Sequence, residues 1–141
     1  MAALTSAAGH RRAHRNGRFE MSTYLINHLR IPGGVPNEEG LAYLEQVEDT
    51  VKAYGGQWLA QGDVQVVEGA WPDSVVLIEF PSHADAQAWY DSPEYEKIRP
   101  LRVNNAISDL ILVDHVAPGF TVAGFARQVR AAIAAGNGAG S

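Results

Sequence analysis

Two stretches of this chain, Ser74–Phe80 (SVVLIEF) and Ala106–His115 (AISDLILVDH), carry apolar residues on both phases of a strand's alternation. Successive side chains of an extended strand point to opposite faces. Val76, Ile78 and Phe80 therefore need cover on one side, and Val75 and Leu77 need it on the other. Leu110 and Leu112 oppose Ile111 and Val113 in the same way. A chain of 141 residues is one domain's worth, and one layer of helices covers only one face of its sheet. The most economical cover for the second face is another copy of the same sheet, because each large apolar side chain left in water forgoes about 1.5–3 kcal/mol. The expected partner is thus a second copy, as a homodimer. The alternative is a monomer whose C-terminal helix roofs that face.

The remaining elements follow from local signals. Ser22–Arg30 (STYLINHLR) reads as strand one and Pro32–Pro36 as a loop. Asn37 caps a helix with Glu38 and Glu39 in its first turn. Leu41, Leu44, Val47, Val51 and Tyr54 give it an apolar face, and Gly55-Gly56 ends it. Gln57–Glu68 reads as strand two, with a bend at Gly62-Asp63. A turn through Gly69–Asp73 leads to strand three, Ser74–Phe80. Ser82 caps the next helix, with Asp85 in the capping-box position. Ser92-Pro93-Glu94 restarts a helix that Pro100 should kink or end. Strand four is Ala106–His115. The order is β-α-β-β-α-β, a ferredoxin-like α+β unit with an antiparallel sheet.

Three segments result. Residues 1–20 form a basic extension expected to be disordered, and residues 21–116 form the folded domain. Residues 117–141 form a C-terminal amphipathic helix, about Thr121 to Ala135, with a mobile tail from Gly136. Val122, Phe125, Val129 and Ile133 make one stripe on that helix.

Hydrophobic residues are 46% of the chain, enough for a core. The absence of cysteine excludes disulfides, zinc–thiolate sites and thiol nucleophiles, and agrees with a cytoplasmic location. No apolar run has the length of a membrane span, so no membrane association is expected. No apolar stretch follows Arg11-Arg12, so a secretory or twin-arginine signal is unsupported. Arg11, Arg12, Arg15 and Arg18 against Glu20 give the first 20 residues +3, and Arg127 and Arg130 give the end +2. With −5 overall, residues 21–115 hold −10. A domain so acidic repels phosphate backbones, and no nucleic acid is expected as a partner.

Several blocks resemble a widespread bacterial family of unknown function. They are Tyr54-Gly55-Gly56-Gln57-Trp58-Leu59, Val67-Glu68-Gly69, Val76–Ser82 (VLIEFPS), Ala88–Tyr95 (AWYDSPEY), Leu101-Arg102 and Ser108–Val113 (SDLILV). That family lies in the dimeric α/β-barrel superfamily, alongside antibiotic-biosynthesis monooxygenases, and the resemblance spans residues 22–116. It implies the ferredoxin-like fold and a homodimer joined sheet to sheet, and brings no established activity. By analogy with related barrel proteins, an enzyme of this kind would be a cofactor-free oxygenase or isomerase. Pro100 and the two terminal extensions depart from the pattern.

Two groups of residues are candidates for chemistry. If Ile26 on strand one opposes Leu77 and Ile111, then Tyr24 opposes Glu79 and His28 opposes Asp109. One sheet face would then hold His28 and Asp109 as a catalytic acid–base pair, with Tyr24 and Glu79 positioning a ligand. The plainer alternative is hydrogen bonding across a dimer. The second group is Trp58, Trp89, Tyr90 and Tyr95, which would line a pocket between sheet and helices, with Arg99 or Arg102 pairing an acidic ligand. The plainer alternative there is core packing. His10, His14, His28, His83 and His115 have no metal-site spacing, and no phosphate loop or nucleophile motif occurs. No metal and no cofactor are expected. The functional expectation is a small protein that binds or transforms a small apolar or aromatic molecule. The competing one is a non-catalytic assembly module that works through its C-terminal helix.

Overall fold

The computed structural model describes the backbone of residues 11–12 and 20–140 and the side chains of residues 21–137. Most of the expected basic extension lies outside these residues. Within it, Arg11–Arg12 pairs antiparallel with Glu20–Met21.

The domain is built on four antiparallel strands: β1 (Thr23–Arg30), β2 (Gln57–Asp63), β3 (Ser74–Phe80) and β4 (Ile107–Asp114). Their spatial order is β2-β3-β1-β4. Helix α1 (Glu38–Lys52) connects β1 to β2, and helices α2 (His83–Tyr90) and α3 (Pro93–Val103) connect β3 to β4. This is the ferredoxin-like α+β arrangement, with an open sheet covered by helices on one face.

Local chemistry sets the helix starts. Asn37 accepts a hydrogen bond from the Gly40 amide at 2.9 Å. Ser82 and Ser92 each accept one from the amide three residues on, at 3.1 Å. Pro93 occupies the first turn of α3, where its missing N–H costs nothing.

Period-two alternation divides the sheet. Thr23, Leu25 and Asn27 on β1 face the helices and are buried, as are Val76, Ile78 and Phe80 on β3. The core under the helices joins Leu25, Val76, Ile78 and Phe80 to Val47 and Val51 of α1, Trp89 of α2, and Tyr95 and Ile98 of α3. Trp89 stacks on Tyr95 with ring centroids 4.1 Å apart, and its indole donates to Thr50 Oγ1 at 3.0 Å. The inward stripe of α1 is Tyr43, Val47 and Val51, at four-residue steps. Leu41 and Leu44, expected on that stripe, remain exposed.

Three boundaries differ from expectation. β2 ends at Asp63, not Glu68, with its register shift between Trp58 and Ala60. Gly62, at φ 135°, takes the backbone out of the ordinary strand region just before that end. Helix α3 runs through Pro100 to Val103. The carbonyl that Pro100 cannot bond belongs to Glu96, which is exposed and open to water. Helix α4 (Val122–Gly140) begins after the Gly119 turn and continues past Gly136. It does not roof the second sheet face: Val122, Phe125, Val129 and Ile133 are all exposed, with Phe125 at 54%. Among the described residues no helix is long and apolar enough to cross a membrane.

Gly56 joins α1 to β2 where nothing larger fits. A Cβ there would lie 2.9 Å from Phe80 Cε1 and closer still to Val51 Cγ1. Gly56→Ala is therefore expected to destabilise the domain by about 1–3 kcal/mol. Urea unfolding should show a lower midpoint with an unchanged slope.

Candidate functional site

The two candidate groups lie on opposite faces of the sheet. On the open face, Tyr24 is opposite Glu79 and His28 is opposite Asp109, in the register that puts Ile26 beside Leu77 and Ile111. Alternation also places Arg30 on this face, and it changes the chemistry. The Arg30 guanidinium, through Nη2, holds the Asp109 carboxylate. Its Nη1 donates to His28 Nδ1 at 3.2 Å. On the other side of the ring, His28 Nε2 donates to the Pro72 carbonyl at 2.7 Å. A guanidinium only donates and a carbonyl only accepts, so the ring is the neutral Nε2–H tautomer with both nitrogens engaged. The imidazole also stacks on Trp71, with centroids 4.1 Å apart and planes 24° apart. The carboxylate expected against the imidazole is thus held by Arg30 instead. That hydrogen bond and the nearby positive charge hold Asp109 below the ordinary aspartate pKa.

At the other end of β1, the Tyr24 hydroxyl shares a hydrogen bond with His115 Nδ1 at 2.7 Å. Burial and the neighbouring Glu79 carboxylate push the Tyr24 phenol pKa up. Glu79 is 5% exposed, and its Oε2 has no hydrogen-bond partner among the described residues. Aliphatic side chains also line the open face. Ile107, Ile111 and Val113 are exposed, with Ile111 at 55%.

The helix face encloses a cavity of about 60 Å³ between the sheet, α1 and α3. Its walls include Leu25, Val76, Ile78, Leu110, Trp58 and Trp89, and its polar lining includes Arg102, Asn27, Tyr43 and Gln61. Trp58 Nε1 donates to Gln61 Oε1 at 2.7 Å. Arg102 Nε donates to the Tyr95 hydroxyl at 3.1 Å, and that hydroxyl shares a 2.8 Å hydrogen bond with Tyr43. Burial raises the Tyr43 phenol pKa well above its ordinary value, and Tyr95 adds to the effect. Burial also opposes the Arg102 charge, but the Tyr95 and Tyr43 oxygens outweigh it and hold the guanidinium pKa above normal. Asn105, just past the end of α3, also lines the cavity. There Asn37 Nδ2 donates to Asn105 Oδ1 at 2.6 Å, and Asn105 Nδ2 donates to Glu39 Oε1 at 2.8 Å.

Of the aromatic group, Trp58 and Trp89 reach the cavity, while Tyr95 is fully buried beneath it. Tyr90 lies away from it, against Arg99, whose guanidinium carbon is 4.9 Å from the Tyr90 ring centre. Sequence reasoning missed Asn27, Tyr43 and Arg30. Each had a signal. Asn27 alternates with Leu25 and Leu29, Tyr43 is four residues before Val47, and Arg30 is two residues beyond His28.

Sheet, helix layer and topology define a ferredoxin-like α+β protein with one open sheet face. Residues 22–116 match the family described as a domain of unknown function, DUF1330, and the chain belongs to that family. Among solved structures, it is similar to RPA0582, a protein of unknown function from Rhodopseudomonas palustris. That likeness has a TM-score of 0.55 at 18% identity, over 83% of this chain and 94% of that one. The methylated RPA0582 protein gives 0.55 at 21% identity, over 84% and 93%. SnoaB, a cofactor-independent oxygenase from Streptomyces nogalater, gives 0.47 at 12% identity, over 71% and 97%. Comparison with curated proteins finds no match.

The Arg30 bridge has a measurable sign. A carboxyl whose pKa is depressed in the folded state adds stability above its unfolded pKa, and loses it as pH falls through the folded value. An NMR titration should place the Asp109 pKa below about 3.9, the ordinary aspartate value. Arg30→Ala should bring it back towards that value.

Proposed function

We propose that this chain binds a small, largely apolar molecule in the cavity between its sheet and helices α1 and α3, and that it does so as a homodimer. The observation that carries the first part is space inside an otherwise close-packed layer, walled by aliphatic side chains and containing a few polar groups. A volume of about 60 Å³ suits an occupant of a few heavy atoms. An aromatic ring would need Tyr43 or Leu44 to move aside. In this reading Trp58, Trp89 and Arg102 serve the cavity, while Tyr24, His28, Glu79 and Asp109 belong to the opposite, dimer-facing side. The engaged nitrogens of His28 favour a positioning role for it over general-base catalysis.

Two-dimensional NMR with 1-propanol as a neutral probe tests the cavity. Shifts should concentrate on the methyls of Leu25, Val76 and Leu110, and Leu29→Phe, which fills the space, should abolish them. His28→Ala should leave them unchanged. Shifts confined to the open face would defeat the assignment.

The dimer reading rests on the uncovered aliphatic face of β1, β3 and β4. Sedimentation at micromolar concentration should give a two-chain particle, and Ile111→Glu should give a single folded chain. A wild-type monomer under those conditions would overturn this part. The second reading, an assembly module, is favoured by the exposed stripe of α4. Removing residues 117–141 separates the two. Loss of assembly with propanol binding intact assigns the helix to association.

A further inference from the structure

Arg102 poses a problem that the fold alone does not solve. It is 8% exposed and sits on α3 at the cavity wall. A guanidinium stays protonated throughout the working pH range, and a buried charge is costly unless an opposite charge or a full set of acceptors meets it. Among the described residues no carboxylate pairs with Arg102. Its hydrogen-bond partners are the neutral phenols of Tyr95 and Tyr43. Five N–H donors are more than two phenols satisfy. Another polar group in the same space carries an orphaned atom. Asn27 is 6% exposed, lines the cavity, and its Oδ1 has no hydrogen-bond partner among the described residues.

We infer that the cavity takes a short-chain monocarboxylate, with the acid group on Arg102, a hydroxyl on Asn27, and the hydrocarbon against Leu25, Val76 and Leu110. The inference rests on the cavity reading above and adds the charge of the occupant. The planar guanidinium fork matches a carboxylate. Asn27 Oδ1 accepts only, so it reads a hydroxyl donor on the ligand rather than the acid itself. Size limits the chain to a few carbons. Charge separates a monocarboxylate from phosphate. Among the described residues Arg102 is the only basic one lining the cavity, and the surrounding domain is strongly acidic, so a dianion meets one cation and a repulsive field. A monoanion is matched one to one.

The test uses the full chain with propionate, lactate, propionamide and inorganic phosphate, followed by the Arg102 Nε–H resonance and the Leu25 and Leu110 methyls. Propionate should shift both sets and bind about tenfold or more tightly than propionamide, the value of a charge-assisted hydrogen bond. Lactate should bind more tightly than propionate, and Asn27→Val should remove that gain. Arg102→Met should reduce propionate to the level of propionamide. If that variant does not fold, the wild-type comparison of acid with amide carries the test alone. Equal affinity for propionate and propionamide overturns the inference, and leaves the cavity reading standing if 1-propanol binds. Binding by none of these probes, propanol included, overturns both. Phosphate displacing propionate overturns the restriction to monoanions, and equal affinity for lactate and propionate overturns the role of Asn27.

Discussion

The antiparallel pairing of β1 between β3 and β4 determines which side chains meet in this molecule. Along β1 the even positions, Tyr24, Ile26, His28 and Arg30, face the open side. The odd positions, Thr23, Leu25, Asn27 and Leu29, face the helices. A slip of one residue would send Asn27 outward and His28 into the core. The packing of Leu25 with Val76 and Ile78 fixes the register, and the polar groups on both sides follow from it. Neither the cavity nor the Arg30 bridge has an independent origin.

The helix layer then brings Arg102 to the sheet. Ser92 caps α3 and Pro93 starts it, so the helix direction is set two turns before Arg102. Tyr95, in the first turn of α3, is buried against Trp89 and receives the Arg102 Nε–H bond. Tyr43 extends the chain of phenols from α1. One guanidinium thereby ties α1 to α3 beside a space that close packing would otherwise remove. Such networks specify a unique arrangement at the cost of a desolvated charge.

Most of this architecture is legible in the residues. Consecutive apolar positions in Ser74–Phe80 mark a strand in need of two covers, and the caps at Asn37, Ser82 and Ser92 lie where side-chain oxygens and amide spacing require them. The β1 register follows from aligning aliphatic residues. What escapes is the competition among partners. Asp109 chooses Arg30 over His28 because a guanidinium two residues along the same strand face is within reach and permanently charged. The loop that carries Trp71 and Pro72 to His28 is invisible to periodicity. Pro100 is tolerated because the carbonyl it leaves unbonded is wet. The cavity was legible only as a cluster of aromatics. Its size depends on how α1 leans on the sheet, and both Tyr43 and Leu44 line it, with Tyr43 the less exposed.

The stack of Trp71 on His28 gives the open face an optical property of its own. An excited indole loses its energy to a protonated imidazole held against it, and keeps far more of it beside a neutral one. The other two tryptophans lie on the helix side, so the emission of Trp71 reports the electronic state of a single ring on the uncovered side of the sheet. Any event that separates the indole from that ring is written into that emission. The chain therefore carries a fluorophore on the uncovered face of its sheet.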